Sequence, residues 1–440
     1  MPHVSDVSGD DAGYLPYVAT ALGAEVLGGL VIGVLIYLAR SGIVLRDRLP
    51  ELIQAHGWLQ LQGWAGLFVA GMAQRLIPRL AGRPPVKGAT VPIFLLLAAG
   101  ALLRPVGQVA GGAAGTGLIL LAAGAASAGC LAVAAVLASV LGRSRAPRAG
   151  WLLFAWAGCA WWIVWSGLGL WGGLLAARNG GLVPAWFDEP SVLVVMLGSI
   201  GAFIWAIQSR MVPVFFGRRP PGARALLGPA ALYNLGVLVL LGSLIAAALQ
   251  SAGTPSNFAA GGLGLTGAGL VWLALAGGSV AGVAHRLRPA SQALGRFVVS
   301  ANRWSIAAGV MWAVALLGPV LYAGTPRHSL NDAALHAFGT GVVTMLIAGM
   351  VQMVAPVFAR ARMDAPAVSL VERAIWPLLL GATVTRVGAG LAEGIDRGQA
   401  FTVLAGLSGV LGWTGLALLT LRLLLAYRRN AILDAGLTSH

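Results

Sequence analysis

Charged residues are scarce in this chain. Only 10% of its 440 residues are charged and 58% are apolar, whereas about 25% of the residues in a typical soluble domain are charged. Too few polar groups are present to cover a water-facing surface, so most of the surface must face lipid. This excludes a soluble enzyme, a fibrous protein and a disordered chain. The composition predicts an all-α polytopic membrane protein, because helices satisfy their own backbone hydrogen bonds in lipid.

Lysine and cysteine are also rare. The single lysine is Lys87, and the other 28 basic residues are arginines. The net charge of +15 would suit nucleic acid. However, the arginines cluster between apolar runs, as expected for membrane orientation, so we expect no nucleic-acid partner. Cys130 and Cys159 lie inside apolar runs without CxxC spacing. We interpret both as small core hydrophobic residues.

Apolar runs of about 20 residues predict membrane-spanning helices. Glycine and proline clusters and arginine runs divide the chain into twelve such candidates, within a single integral membrane domain over residues 1–440. The segment GGAAGTG (111–117) predicts only a short turn between the third and fourth spans. The predicted spans are 17–39, 53–77, 90–112, 114–141, 150–177, 191–216, 227–249, 258–284, 303–323, 332–358, 370–394 and 400–426.

The distribution of basic residues predicts the orientation of these spans. The even-numbered loops and the end of the chain carry 21 of the 29 basic residues, and the odd-numbered loops carry six. Basic residues accumulate on the cytoplasmic side of a membrane. We therefore expect both termini to be cytoplasmic.

Three of the predicted inward-running spans end alike. They end in GMAQRLIPRLAG (71–82), AIQSRMVPVFFG (206–217) and GMVQMVAPVFAR (349–360), and their prolines are 135 and 143 residues apart. A proline beside arginines is also a common signal for the end of a helix. The spacing nevertheless predicts three four-helix arcs, with pseudo-repeats over roughly 17–141, 150–284 and 303–426.

Two of the six histidines, His56 and His336, lie inside predicted spans, where ionisable residues are costly and usually functional. We expect both imidazoles at a similar depth, near the outer surface. Gly63 follows His56 by seven residues and Gly339 follows His336 by three, which would leave room for a flat group beside each ring. Two facing imidazoles would suit a b-type haem with two axial histidines. The alternative is that each histidine bonds a neighbouring helix or caps its own.

Arg104 and Arg386 lie within the third and eleventh spans, at a depth close to that of the histidines. A buried arginine needs an anionic partner, yet we find few acids in the spans. Glu25 is expected towards the cytoplasmic third of the first span, and Glu393 at the outer end of the eleventh. Two haem propionates would supply the missing charge. The alternative is that the arginines snorkel or bond backbone carbonyls.

Several cofactor sites are excluded by what the chain lacks. Residues 191–249 contain no histidine, which excludes a copper centre of three imidazoles there. Ala334 and Phe338 stand where a second haem ligand two residues from His336 would be. Neither HExxH, a Walker A motif nor a CxxCH haem attachment site occurs.

Two segments carry a resemblance to a known family. HGWLQLQGWAGLFVAGMAQRLIPRLAG (56–82) and LHAFGTGVVTMLIAGMVQMVAPVFARAR (335–362) resemble the second and tenth helices of haem–copper oxidase subunit I. With LLRPVG (102–107) and twelve spans, the chain looks most like the NnrS family, shorter bacterial relatives associated with nitric oxide resistance. The resemblance implies His56 and His336 as axial ligands of one haem b. The family's second helix usually holds more histidine, which puts bound copper in doubt.

These observations favour a haem b membrane protein of the bacterial inner membrane, acting in nitric oxide or nitrosative-stress tolerance or in electron transfer. We expect the lipid bilayer and respiratory or electron-donor subunits as partners. Enzyme status stays open, because a haem iron with two histidine ligands has no open position. Two alternatives remain: a secondary transporter that binds an anion through the intramembrane arginines, and a scaffold subunit without cofactors.

Overall fold

The residues that the structure describes form twelve long helices, α1 to α12. The computed structural model describes residues 13–145, 149–250, 257–277, 289–321, 327–358, 368–393 and 399–437, and these residues contain no strand. The prediction of an all-α polytopic membrane protein is confirmed. The helices are α1 Leu15–Arg40, α2 49–80, α3 Thr90–Ala110, α4 Gly112–Leu141, α5 Trp151–Arg178, α6 Ala185–Phe215, α7 Ala223–Gln250, α8 Asn257–Ala276, α9 Pro289–Leu321, α10 327–358, α11 Val368–Glu393 and α12 Gln399–Leu437.

Each predicted span corresponds to one of these helices. The largest difference is in α9, which begins at Pro289 rather than at residue 303. Its first turns carry polar and basic residues, which the apolar pattern of the sequence left out. Residues 278–284 of the eighth predicted span lie outside the described residues.

Within the described ranges, ten of the helices are long and apolar enough to cross a membrane. The other two are α2 and α9, and in α2 glutamines and arginines interrupt the apolar residues. Gln62, Gln74 and Arg75 of α2 are buried inside the bundle rather than exposed to lipid. A helix surrounded by protein does not need an apolar surface all round.

The predicted turn between the third and fourth spans is confirmed, and it is very short. Gly111 is the single residue between α3 and α4, with a φ of +64°, and Gly112 has a φ of +59°. Glycine adopts such values without the steric cost that a Cβ would bring. These two residues let α3 and α4 pack as an antiparallel pair.

Helices α2, α6 and α10 form the interior of the bundle. Every residue of α2 from Leu67 to Pro78 is buried. Most of the apolar stretch is also buried in α6 and in α10 (83% and 72%), against 33% in α7 and α12. The Trp64 indole of α2 donates to the Thr344 hydroxyl of α10 at 3.1 Å. At the periphery, Trp413 of α12 donates to the Val26 carbonyl of α1, so the last helix packs on the first.

All three interior helices contain a π-helical segment, in which turns close through i→i+5 hydrogen bonds. The segments are Leu59–Gly66, Val195–Gly201 and Ala337–Thr344. Their starts are 136 and 142 residues apart, close to the spacing of the terminal prolines. Helix α1 contains a fourth segment, Ala24–Gly29. The pseudo-repeats themselves stay a prediction.

The two cysteines are buried and form no disulfide. Cys130 lies in α4 and Cys159 in α5, each surrounded by apolar side chains of the main core. Their interpretation as small core residues is confirmed.

Candidate functional site

A cavity of about 420 Å³ lies where α2, α6 and α10 begin. Its volume falls within the range of about 300–1,000 Å³ that is usual for cofactor and small-molecule sites. The interior helices line it together with α1, α3, α5, α11 and α12. Exposed residues at the rim, Arg40 and Glu189, show that it reaches the surface of the bundle.

His56 lines this cavity from α2. Its Nδ1 atom lies 2.7 Å from the carbonyl oxygen of Gly29, at the end of the π segment of α1. A carbonyl can only accept, so Nδ1 carries the proton and donates. Gly33, one turn further along α1, packs against the same ring: a Cβ on Gly33 would lie 3.1 Å from Cε1 of His56. Helix α1 therefore fixes the position of the imidazole.

His336 lines the cavity from α10. Its Nδ1 atom lies 2.8 Å from the backbone carbonyl oxygen of Asp332, one turn earlier in the same helix. The carboxylate of Asp332 is also close, with Oδ1 at 3.3 Å from Nδ1. The Nδ1 atom of His336 therefore also carries the proton.

The two imidazoles share an arrangement typical of metal ligands. They line one cavity. Among the described residues, neither Nε2 atom has a hydrogen-bond partner. A metal-ligating histidine usually donates its second ring N–H to a carbonyl or carboxylate, which leaves the other nitrogen free to coordinate. Both histidines satisfy this condition.

Arg386 of α11 also lines the cavity, but its charge is matched by an acid. Its two terminal nitrogens donate to the two carboxylate oxygens of Asp332 at 2.8 and 3.1 Å. The sequence analysis named Glu25 and Glu393 as acids within the spans; Asp332, in the first turns of α10, is the acid that pairs with Arg386. The pair holds Asp332 beside His336, so Arg386 supports the histidine through that carboxylate. A contact between Arg386 and a cofactor stays a prediction.

Arg104 of α3 has no such carboxylate in contact. Its guanidinium stacks on the Trp58 ring at 4.1 Å from the ring centroid, and only 5% of the residue is exposed. Its buried Nε atom has no hydrogen-bond partner. Asp188, in the first turn of α6, interacts with it electrostatically, although no hydrogen bond joins the two residues among the described contacts. Arg104 therefore offers an unpaired donor beside the cavity.

The two predicted clearance glycines have different positions. Gly339 lines the cavity, and a Cβ there would meet only Met196 of α6, at 4.0 Å. Gly63 does not reach the cavity; it packs on α1, where a Cβ would lie 3.1 Å from that of Ala24. A contact between Gly63 and a cofactor stays a prediction. Gly63 lies in the π segment of α2, where a turn holds more residues than an α turn, so counting at α-helical periodicity does not place it on the face of His56.

A carboxylate and an amide in the cavity were not predicted as part of the site. Glu25 of α1 accepts a hydrogen bond from Gln60 of α2 at 3.0 Å, and both residues line the cavity. The sequence analysis expected Glu25 towards the cytoplasmic third of the first span, and counting along α1 could not show that it faces Gln60 of α2. Gln60 follows His56 by one turn, so Glu25 lies one turn deeper than the imidazole. The side chain of Glu393 lies outside the described residues.

Within the described residues, no group of three or more histidine, cysteine, aspartate or glutamate side chains is placed to hold a metal ion. A bis-histidine haem requires only two protein ligands to iron. The residues therefore fit a haem iron between His56 and His336.

The sequence was compared with known families and curated proteins. No family model matches this chain, and no curated protein matches it.

Proposed function

We propose that this membrane protein binds one haem b through the Nε2 atoms of His56 and His336. The observation that supports it is that the two imidazoles have the same hydrogen-bonding pattern. Each is fixed through Nδ1 by a backbone carbonyl, and each has an Nε2 atom without a protein partner beside the same cavity. Fixing Nδ1–H sets the tautomer that leaves the Nε2 lone pair available to iron.

Other residues of the cavity fit the same cofactor. The lack of a Cβ at Gly33 leaves room for the His56 ring itself, and Gly339 leaves open space in the cavity. Arg104 has an unpaired buried donor that suits a haem propionate, since a guanidinium forms charge-assisted hydrogen bonds to carboxylates. The Trp58 ring stacks on the flat face of this guanidinium. When bound, the haem would supply one-electron chemistry at an iron with both axial positions filled.

The wider function that we propose is that of an NnrS-like protein of the bacterial inner membrane, with both termini cytoplasmic. It would act in nitric oxide or nitrosative-stress tolerance, or pass electrons between respiratory or other donor subunits. This rests on the resemblance of the α2 and α10 segments and on the two histidines that those helices carry. Copper remains in doubt, since α2 has His56 as its only histidine.

The test is a reduced-minus-oxidised absorption spectrum of the detergent-purified protein from haem-replete cells. We expect a sharp low-spin b-type band that carbon monoxide does not move. His56→Ala and His336→Ala should each abolish it, whereas the matched control His285→Ala, outside the described residues, should keep it. Full haem retention in both single variants would refute the axial assignment.

A second candidate is a secondary transporter for a small anion, favoured by the unpaired buried donor of Arg104 in a cavity that reaches the surface. Purified protein without a haem band, but with anion uptake into vesicles that Arg104→Leu removes, would support it. A scaffold subunit would show neither haem nor uptake.

A further inference from the structure

Glu25 is a buried acid in the cavity that haem ligation does not use. It belongs to the π segment of α1, and only 2% of its surface is exposed. An ionisable residue at this depth in a membrane is costly and usually functional. Its surroundings show what the carboxyl group can bind.

The carboxyl group of Glu25 has one hydrogen bond. Its Oε1 atom accepts from the Gln60 amide at 3.0 Å, and its buried Oε2 atom has no hydrogen-bond partner. Among the ion pairs of the described residues, none includes Glu25. An ionised carboxylate with so little compensation is costly in an apolar interior. Either a nearby positive charge or a bound proton would remove that cost.

Glu25 is connected to His56 through Gly29. A Cβ placed on Gly29 would lie 2.7 Å from Oε2 of Glu25 and 2.8 Å from Nε2 of Gln60, so the two side chains cover this glycine. The carbonyl of the same glycine accepts the Nδ1–H of His56. A change in charge at an iron bound to His56 would therefore act on Glu25 over a short path through protein.

The charged and titratable groups around Glu25 come from four helices. Helix α12, which also packs on α1, lines the cavity with uncharged residues only. Asp332 is already paired with Arg386. The groups on α1 and on the helices packed against it that line the cavity are Tyr37, Arg40, His56, Arg104, Asp332 and His336.

We propose that Glu25 is a redox-linked proton acceptor, which binds one proton when the iron between His56 and His336 gains one electron. The charge at the iron is one unit more positive in the ferric than in the ferrous state, so the ferric state favours the carboxylate and the ferrous state favours the protonated acid. The electron comes from a one-electron donor such as a reduced cytochrome. The proton comes from bulk solvent: an O–H bond of hydronium breaks as one O–H bond forms on Glu25. Reoxidation of the iron releases the proton. The cavity leads from Glu25 to the exposed Arg40 and Glu189, which gives the proton a route.

This inference rests on the proposed haem site, and its test separates the two. The midpoint potential of the purified holoprotein is measured over a series of pH values. Wild-type protein should show a potential that falls as pH rises, by up to about 59 mV per tenfold change in proton concentration for one proton per electron. Glu25→Gln should flatten this dependence. The control Asp47→Asn changes an exposed acid that does not line the cavity and should keep it.

Infrared difference spectra of reduced minus oxidised protein provide a second readout. Reduction should produce the carbonyl band of a carboxylic acid, absent in Glu25→Gln. Gln60→Leu removes the hydrogen bond to Glu25 and should shift this band, which keeps the test valid if Glu25→Gln does not fold. Haem with an unchanged pH dependence in Glu25→Gln, or an unshifted band in Gln60→Leu, would overturn the role of Glu25 alone. Wild-type protein without haem would overturn both proposals.

Discussion

Gly33 gives a direct test of how α1 controls the His56 ring. In Gly33→Ala the new methyl group would lie 3.1 Å from Cε1 and 3.3 Å from Nδ1 of His56, whereas ordinary contacts are 3.4–4 Å. The ring must move by a few tenths of an ångström, away from the Gly29 carbonyl that it bonds at 2.7 Å. In haem-free protein it can tilt into the cavity. With haem bound, the iron would hold the ring in place against the methyl group.

The magnitude follows from two opposing terms. Replacing glycine by alanine within a helix favours folding by about 0.8–1.0 kcal/mol. Overpacking destabilises a structure by about 1–3 kcal/mol, and here it destabilises mainly the haem-bound state. We therefore expect haem affinity to fall by about 5–150-fold, with little loss of thermal stability in the haem-free protein.

The assay is a titration of haem into haem-free protein in detergent, followed by the Soret absorbance, with electron paramagnetic resonance of the oxidised product. Gly23→Ala is the matched control, because Gly23 lies in the same helix and a Cβ there meets nothing within 4 Å. The control should bind haem as wild type does. Indistinguishable affinity and resonance spectra in Gly33→Ala would refute the placement of His56 as an iron ligand.

Two further predictions concern the arginines. Arg104→Leu should weaken haem retention or shift the haem midpoint potential without removing the haem. Unchanged haem occupancy and potential would contradict a contact with the propionates and leave Arg104 as a structural residue stacked on Trp58. Asp332→Asn should lower the thermal midpoint, since it removes the carboxylate that accepts from the Arg386 guanidinium. Breaking a buried ion pair in this way costs about 3–5 kcal/mol. The cost is smaller here, because both side chains are partly exposed. Adding Arg386→Met should recover part of that loss in a double-mutant cycle, and strictly additive losses would contradict the pairing.

The number and order of the helices could be predicted from the sequence, because the length of an apolar run and the glycines that end it are local properties. The turn at Gly111 is an example, since a stretch of small residues can both end one helix and begin the next. The early start of α9 could not be found this way, because its first turns are not apolar.

The site was only partly predictable. His56 and His336 stood out because histidine is rare in the chain, and the structure brings both to one cavity. The partners of these histidines are backbone carbonyls and residues of other helices, which no spacing rule reveals. Glu25 and Gly33 belong to α1 and meet His56 only through tertiary packing. The face of α2 on which Gly63 lies could not be predicted, because the periodicity changes within α2.

The π segment of α2 has a consequence for how such a site can arise. Residues in an α-helix are rotated by about 100° from one to the next, so one additional residue turns everything before it relative to everything after it. The segment Leu59–Gly66 lies between His56 and the buried half of α2. A gain or loss of a single codon there would swing the imidazole towards or away from the cavity, while the packing of the remaining helix stayed as it was. A binding site and a plain structural helix would then be separated by one codon insertion rather than by a redesigned bundle.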